Sequence, residues 1–191
     1  GNDRMRVLNV LIPPGDTSLY HLHSTPSVFI TFTATKTGSQ LWGAGPQHSV
    51  TAPGVIYFEN LAAPHTRIHR VWNEDKDTFH VMDIELLGNH TGFTQPPLQH
   101  QYLHKVVDTP WARAYKITLP PGTYIKLADR KASLVLIAVK SALAHIIENG
   151  AERQSALQPG QVVGINDSEH FTLLNAGTAE SVFALVELAG D

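Results

Sequence analysis

Three of the 11 histidines in this 191-residue chain are spaced so that they could do metal chemistry. His21 and His23 alternate along a segment predicted to be extended, so both imidazoles face the same side of it. His69 follows some way on, at the end of the segment 64–69 and four residues before Asn73. Imidazole is a ligand for zinc, iron, nickel and copper alike. Asn73 itself is expected to stabilise a turn.

Composition excludes several other kinds of chemistry. The chain has no cysteine, which rules out disulfides, thiolate metal sites and cysteine nucleophiles. The formal net charge is -3 and no basic run occurs, so neither nucleic acid nor an anionic membrane is expected as a partner. No apolar stretch reaches the roughly 18 residues that a membrane span needs. We expect a small molecule as the ligand.

Short β-type runs, separated by turns, must position these histidines. The 14 glycines and 12 prolines interrupt the chain every few residues. Val28, Ile30 and Phe32 alternate along one run, and the segments 81–86 and 182–188 have the pattern of closing strands. No window shows a sustained helical period, so no long helix is expected. The predicted fold class is all-β, of the sandwich or barrel type.

The chain also repeats itself. Residues 6–15 match residues 113–122, and both segments end in Pro-Pro-Gly. Further on, 52–54 matches 158–160, and 73–88 matches 175–190 without a gap. Three matches in the same order indicate an internal duplication. We therefore predict a first repeat over 1–88, a linker over 89–97 and a second repeat over 98–191.

With these motifs the sequence resembles the cupin superfamily. Gly15-x5-His21-x-His23, followed by Pro64-x4-His69-x3-Asn73, is similar to the paired cupin signature, and the whole chain resembles a two-repeat bicupin. The resemblance implies two tandem jelly-roll (double-stranded β-helix) barrels. It also implies that His21, His23 and His69 point inward and bind one divalent metal ion, which could be iron, zinc or nickel.

One departure from the cupin pattern changes the expected chemistry. The family's first motif normally continues with a glutamate three or four residues after the second histidine, where this chain has Ser27 and Val28. Three neutral imidazoles leave a bound ion about one charge more positive than three imidazoles plus a carboxylate would. We expect such a site to accept anionic, chelating ligands readily. Similar three-histidine sites occur in oxygenase-type cupins, which use iron.

Other side chains are assigned smaller roles. His65, Gln40 and Tyr20 are candidates for hydrogen-bonding to the metal-binding histidines without contacting the ion themselves. Asp83 and Glu85 alternate with apolar residues, which favours a structural role. The second repeat is predicted to lack the metal site, because the positions matching His21, His23 and His69 carry other residues. By counting from the shared turns, these are Ala128, Arg130 and Phe171.

Two functions remain open from the sequence. One is an iron(II)-dependent dioxygenase-type enzyme acting on a small anionic or chelating molecule, with no catalytic residue assigned. The alternative is a non-catalytic protein that binds a small ligand or a metal, with zinc or no metal in the site. Metal-free isomerase or epimerase chemistry would need a histidine–carboxylate pair, which the sequence does not reveal. The compartment is open, cytoplasmic or periplasmic if a secretory signal was removed, and a homodimer is compatible with the resemblance.

Overall fold

Regular structure in this chain is β-strand throughout the residues that the computed structural model describes, namely 3–88, 92–128, 130, 132–165 and 170–190. The all-β prediction is therefore confirmed. No helix in those residues is long and apolar enough to cross a membrane. The chain divides into two compact units, Gly1–Gly88 and Asn89–Asp191. Part of the predicted linker, 89–91, lies outside the described residues.

Unit 1 consists of two four-stranded antiparallel sheets. Its strands are β1 (Met5–Ile12), β2 (His21–His23), β3 (Ser27–Thr31), β4 (Lys36–Leu41), β5 (Pro46–Val50), β6 (Ile56–Glu59), β7 (Arg67–Asn73) and β8 (Phe79–Leu86). One sheet has the order β1-β8-β3-β6, and the other has the order β2-β7-β4-β5. Consecutive strands thus alternate between sheets in several places, which brings residues far apart in sequence to face one interior.

Unit 2 repeats this arrangement with one additional strand. Its strands are β9 (Leu103–Asp108), β10 (Ala112–Leu119), β11 (Tyr124–Ala128), β12 (Leu134–Ala138), β13 (Ala142–Glu148), β14 (Ala151–Leu157), β15 (Val162–Ile165), β16 (His170–Asn175) and β17 (Ser181–Leu188). The sheet orders are β15-β12-β17-β10-β9 and β11-β16-β13-β14. Strands β10 to β17 therefore correspond in order to β1 to β8, as an internal duplication requires.

The two repeats share the same turn at the end of their first strand. The amide of Asn73 donates hydrogen bonds to the carbonyls of Ile12 (2.9 Å) and Asp77 (2.8 Å), and Asn175 makes the equivalent pair of bonds in unit 2. Gly15 follows the Pro-Pro pair with a φ of 73°, a conformation that glycine adopts without strain. Both asparagines thus stabilise a turn, as predicted for Asn73, and they tie the ends of β7 and β16 to the ends of β1 and β10.

The interiors of the two units differ in character. Unit 2 is filled by large apolar side chains, among them Tyr115, Ile117, Leu127, Phe171 and Leu185, each at most 4% exposed. These residues form a continuous buried cluster, so this repeat is a packed core. In unit 1 many of the corresponding positions are polar, and the interior holds a cavity instead.

Candidate metal site

The three histidines meet where β2 pairs with β7. His21 lies directly opposite His69 in this antiparallel pair, and His23 is two residues further along β2 on the same face. The three imidazole rings are 4.6 to 4.9 Å apart, centroid to centroid, in edge-on arrangements. His23 is buried, His69 is half-buried and His21 is exposed, so the cluster opens to solvent on the His21 side.

The nitrogen atoms of this cluster are spaced as ligands of one ion would be. The Nε2 atoms of His23 and His69 are 3.0 Å apart, and one ring nitrogen from each of the three histidines lies within 4.8 Å of the others. Ligand nitrogens at about 2.0–2.1 Å from one ion are about 2.9–3.4 Å from each other in octahedral or tetrahedral geometry. The donor set therefore fits a divalent transition metal with small adjustments of the rings.

In two of the imidazoles Nδ1 lies close to an oxygen atom of the protein, which leaves Nε2 as the nitrogen available to a metal ion. Nδ1 of His21 lies 2.9 Å from the carbonyl oxygen of Leu19, to which it can donate only if it carries the proton. Nδ1 of His23 lies 3.3 Å from a carboxylate oxygen of Asp83. Burial, followed by the neighbouring His21 and His23, lowers the pKa of His69 to about 4, so this imidazole is neutral at pH 7. Neutral imidazoles are the form that binds metal.

The histidines line a cavity of about 550 Å³ between the two sheets of unit 1. Its wall is apolar along β1 and hydroxyl-rich along β4, and it includes Phe29, Tyr57 and Arg67. The ring of Tyr57 stacks on Phe29 with centroids 5.1 Å apart, and burial raises the pKa of the Tyr57 hydroxyl. A cavity of this size accommodates a small organic molecule next to the histidines.

Arg67 is the cationic side chain of this wall. It stands opposite His23 in the β2–β7 pair and two residues before His69, so it shares their face. Its Nη2 group binds the carboxylate of Glu59, while its Nε is buried and has no hydrogen-bond partner among the described residues. A guanidinium that lines a cavity can pair with an anionic group there.

Asp83 is a site residue that the sequence analysis missed. It lines the cavity from β8 and is 3% exposed, whereas its alternation with apolar residues favoured a structural role. It forms the histidine–carboxylate pair that the sequence had not revealed. A metal ion at this cluster would be less neutralised than in the cupin pattern, because Ser27 and Val28 stand where that pattern has a glutamate. The carboxylate of Asp83 offsets part of that positive charge. The sequence contained one indication, because an acidic residue stands between apolar residues of β8. Nothing in the sequence indicated that Asp83 pairs with His23.

Three predicted supporting residues lie elsewhere. Gln40 alternates with the cavity-facing Ser39, and its amide group binds the carbonyl of Ala44 and accepts hydrogen bonds from Arg70. Tyr20 packs edge-on against Trp42 and under the same Arg70 guanidinium. Both belong to an aromatic and cationic cluster outside the cavity, and strand alternation within β4 turns Gln40 to that face.

His65 also lies apart from the metal ligands. It is exposed and lines a separate surface depression with Glu59 and Thr66. His65 falls in the loop before β7, so the strand spacing that would have placed it on the face of His69 does not apply.

The second repeat has apolar side chains at the positions of His21 and His69. Phe171 stands in the place of His69 and pairs with Leu127, so Leu127 takes the place of His21. The prediction of Ala128 was wrong by one residue. The register of unit 1 shifts by one between the Thr17–Trp72 bridge and the His21–His69 pair, and counting from Gly15 could not detect this.

Arg130 and two histidines of unit 2, His145 and His170, belong to no group of three potential metal ligands among the described residues. The counterpart of His23 becomes residue 129, outside the described residues, while Arg130 pairs with Glu187 at 3.3 Å. His170 is exposed, and His145 lies 3.4 Å from Glu152. Among the described residues of unit 2, no three potential metal ligands come together.

Comparison with known proteins identifies relatives in fold alone. No protein-family model and no curated protein sequence matches the chain. AerE from Microcystis aeruginosa is similar with a TM-score of 0.70 at 10% identity, over 99% of this chain and 89% of that one. YhhW from Escherichia coli has a TM-score of 0.68 at 13% identity, over 100% and 84%.

An enzyme of stated activity is among the similar structures. Salicylate 1,2-dioxygenase from Pseudaminobacter salicylatoxidans has a TM-score of 0.63 at 12% identity, over 97% of this chain and 71% of the enzyme. A further structure of that enzyme is described as adducts with gentisate. Identities this low establish a shared architecture and leave the chemistry to the site itself.

Proposed function

We propose that this chain, which has the two-repeat cupin fold, is a metal-binding protein and an iron(II)-dependent dioxygenase-type enzyme acting on a small anionic or chelating molecule. The observation that carries the proposal is the convergence of the His21, His23 and His69 imidazoles on one point at the wall of a cavity. A chelating ligand could enter from the side on which His21 is exposed.

Iron(II) held by three imidazoles would keep further coordination positions open for a chelating anion and for dioxygen. A dioxygenase places both atoms of O₂ in its organic substrate, so the reaction needs no external reductant. The protein's part is to hold the three nitrogens and to exclude bulk water with the apolar wall along β1.

The arrangement of Arg67 supports an anionic substrate. Its guanidinium lines the same cavity as the histidines, and Glu59 fixes one of its nitrogens while the Nε hydrogen is unused. A substrate carboxylate could pair with this guanidinium while a second oxygen reaches the ion. Charge-assisted bonds of this kind orient a ligand as well as bind it.

The second candidate is a non-catalytic protein that binds a small ligand or zinc. The observation in its favour is that neutral imidazole does not discriminate among zinc, iron and nickel. In addition, apart from the three histidines and Arg67, the described cavity lining offers only Asp83 and the phenol of Tyr57 as an acid or base, and burial raises the pKa of that phenol.

Metal analysis followed by oxygen uptake separates the two candidates. Purified protein is reconstituted with iron(II) without oxygen, and O₂ consumption is then followed with small hydroxy acids, diketones and thiols. Stoichiometric iron with substrate-stimulated uptake, both lost in His21→Ala, supports the oxygenase. His145→Ala, in unit 2, is the matched control and should behave as wild type. Tight zinc without turnover supports the binding protein, and failure to bind any metal refutes the metal site.

A further inference from the structure

Asp83 is a buried carboxylate whose own hydrogen-bonding needs are unmet. Both of its oxygens are buried and have no hydrogen-bond partner among the described residues. Nδ1 of His23 lies 3.3 Å from Oδ2, close enough for an ion pair but not in the geometry of a hydrogen bond. Burying an unpaired carboxylate is costly, so the position calls for a reason other than stability.

The second repeat shows that the scaffold itself does not require an acid there. Asp83 pairs with Phe29 between β8 and β3, and Leu185 pairs with Leu136 at the equivalent place between β17 and β12. Leu185 is completely buried in the apolar cluster of unit 2. The acid therefore occurs in the repeat that has the histidines, and leucine occurs in the repeat that lacks them.

Glu85 provides the contrast on the same strand. It is two residues beyond Asp83, is also buried, and its carboxylate binds the guanidinium of Arg6. Its counterpart Glu187 is kept in the second repeat, where Tyr115 donates a 2.9 Å hydrogen bond to it. Glu85 thus behaves as part of the scaffold, because both repeats have the acid and pair it with an arginine, although Oε1 of Glu187 makes no hydrogen bond.

We propose that Asp83 is the positioning carboxylate of His23. It accepts the Nδ1 proton of His23, which leaves the Nε2 lone pair directed at the point that His21 and His69 also face. A carboxylate behind an imidazole fixes its tautomer, restrains the ring and makes the ligand nitrogen more basic. The inference rests on the proposed metal-binding function, and it places on β8 the negative charge that the sequence lacks at Ser27 and Val28.

The first test is metal affinity, with Zn²⁺ as the probe in competition with a chromophoric chelator. Asp83→Asn keeps the shape and one acceptor but removes the charge, and it should weaken Zn²⁺ binding about 10-fold. Asp83→Leu copies the second repeat and removes the acceptor as well, and it should weaken binding by about 100-fold. Glu85→Gln removes the neighbouring carboxylate, which lies within 4.8 Å of a His23 ring nitrogen but is paired with Arg6, and should weaken Zn²⁺ binding less than Asp83→Asn does. Equal affinities for Asp83→Leu and Glu85→Gln would overturn the inference.

The second test uses metal-free protein, so its outcome does not depend on the proposed function. Nitrogen-15 NMR of the imidazoles should show His23 protonated at Nδ1 in the wild type and should show that preference lost in Asp83→Leu. Thermal unfolding of the same samples should give a higher Tm for Asp83→Leu and a lower Tm for Glu85→Gln. A His23 ring protonated at Nε2 in the wild type, or a lower Tm for Asp83→Leu, means that Asp83 is structural. If the wild type binds no metal, the proposed function fails, whereas these spectra still decide the role of Asp83.

Discussion

Replacing His69 with phenylalanine removes one of the three imidazoles and introduces a residue type that the second repeat already has at the equivalent position. Phe171 occupies the equivalent position in β16 and is 1% exposed there. In unit 1 the new ring would extend into the cavity that His69 lines. We therefore expect His69→Phe to fold and to lose metal affinity.

The size of the loss follows from the arrangement of the ligands. Loss of a group that merely orients a ligand costs roughly 10- to 100-fold in affinity, so loss of a ligand should cost at least about 100-fold. At a free Zn²⁺ concentration of about 100 times the wild-type Kd, binding stabilises the wild type by about 2.7 kcal/mol, and a 100-fold weaker variant by about 0.4 kcal/mol. For the wild type this corresponds to a rise in Tm of roughly 5 °C if the two units unfold together and up to about 20 °C if unit 1 unfolds alone.

The assay is thermal unfolding with and without Zn²⁺, followed by circular dichroism. His69→Phe should show a rise of no more than about 1–3 °C under conditions in which the wild type shows the full shift. His65→Phe is the matched control, because His65 is exposed and lies outside the cluster, and it should keep the full shift. A full Zn²⁺ shift in His69→Phe would refute the reasoning, since two imidazoles would then be sufficient.

Three further predictions concern the surroundings of the cluster. Arg67→Met should weaken binding of a small hydroxy-acid anion by about 10-fold or more while leaving Zn²⁺ binding intact, and calorimetry showing unchanged anion affinity would contradict this. Because the pKa of His69 is about 4 in the folded protein and about 6.5 in the unfolded chain, the unfolded chain takes up more protons between those values. The unfolding free energy of metal-free protein should therefore fall as pH falls through that window, and His69→Phe should reduce the fall in urea titrations. Gly38→Ala would place its Cβ 2.0 Å from Cε2 of Trp72, so the indole must move. We expect the unfolding free energy to fall by about 1–3 kcal/mol and the tryptophan emission to change. An unchanged spectrum would show that the space beside Gly38 is larger than the structure indicates.

Much of the architecture could be predicted from the sequence because it depends on local patterns. Alternation of apolar residues identified strands, and the two Pro-Pro-Gly turns with their later asparagines identified a duplication that the strand orders of both units reproduce. The spacing of His21 and His23 likewise fixed that both imidazoles face one side, since side chains alternate along any strand. That these histidines bind metal remains a prediction.

Only the tertiary structure determined which side chains lie next to the histidines. Asp83 is 60 residues from His23 in sequence, and only the sheet-to-sheet packing of unit 1 brings the two to 3.3 Å. Gln40 and Tyr20 lie in segments that were predicted to line the first barrel, whereas in the structure both contact Arg70 outside the cavity. The one-residue register shift after Thr17 moved the counterpart of His21 from Ala128 to Leu127. A sequence pattern specifies which face of a strand a residue occupies, whereas pairing and packing between strands specify what that face meets.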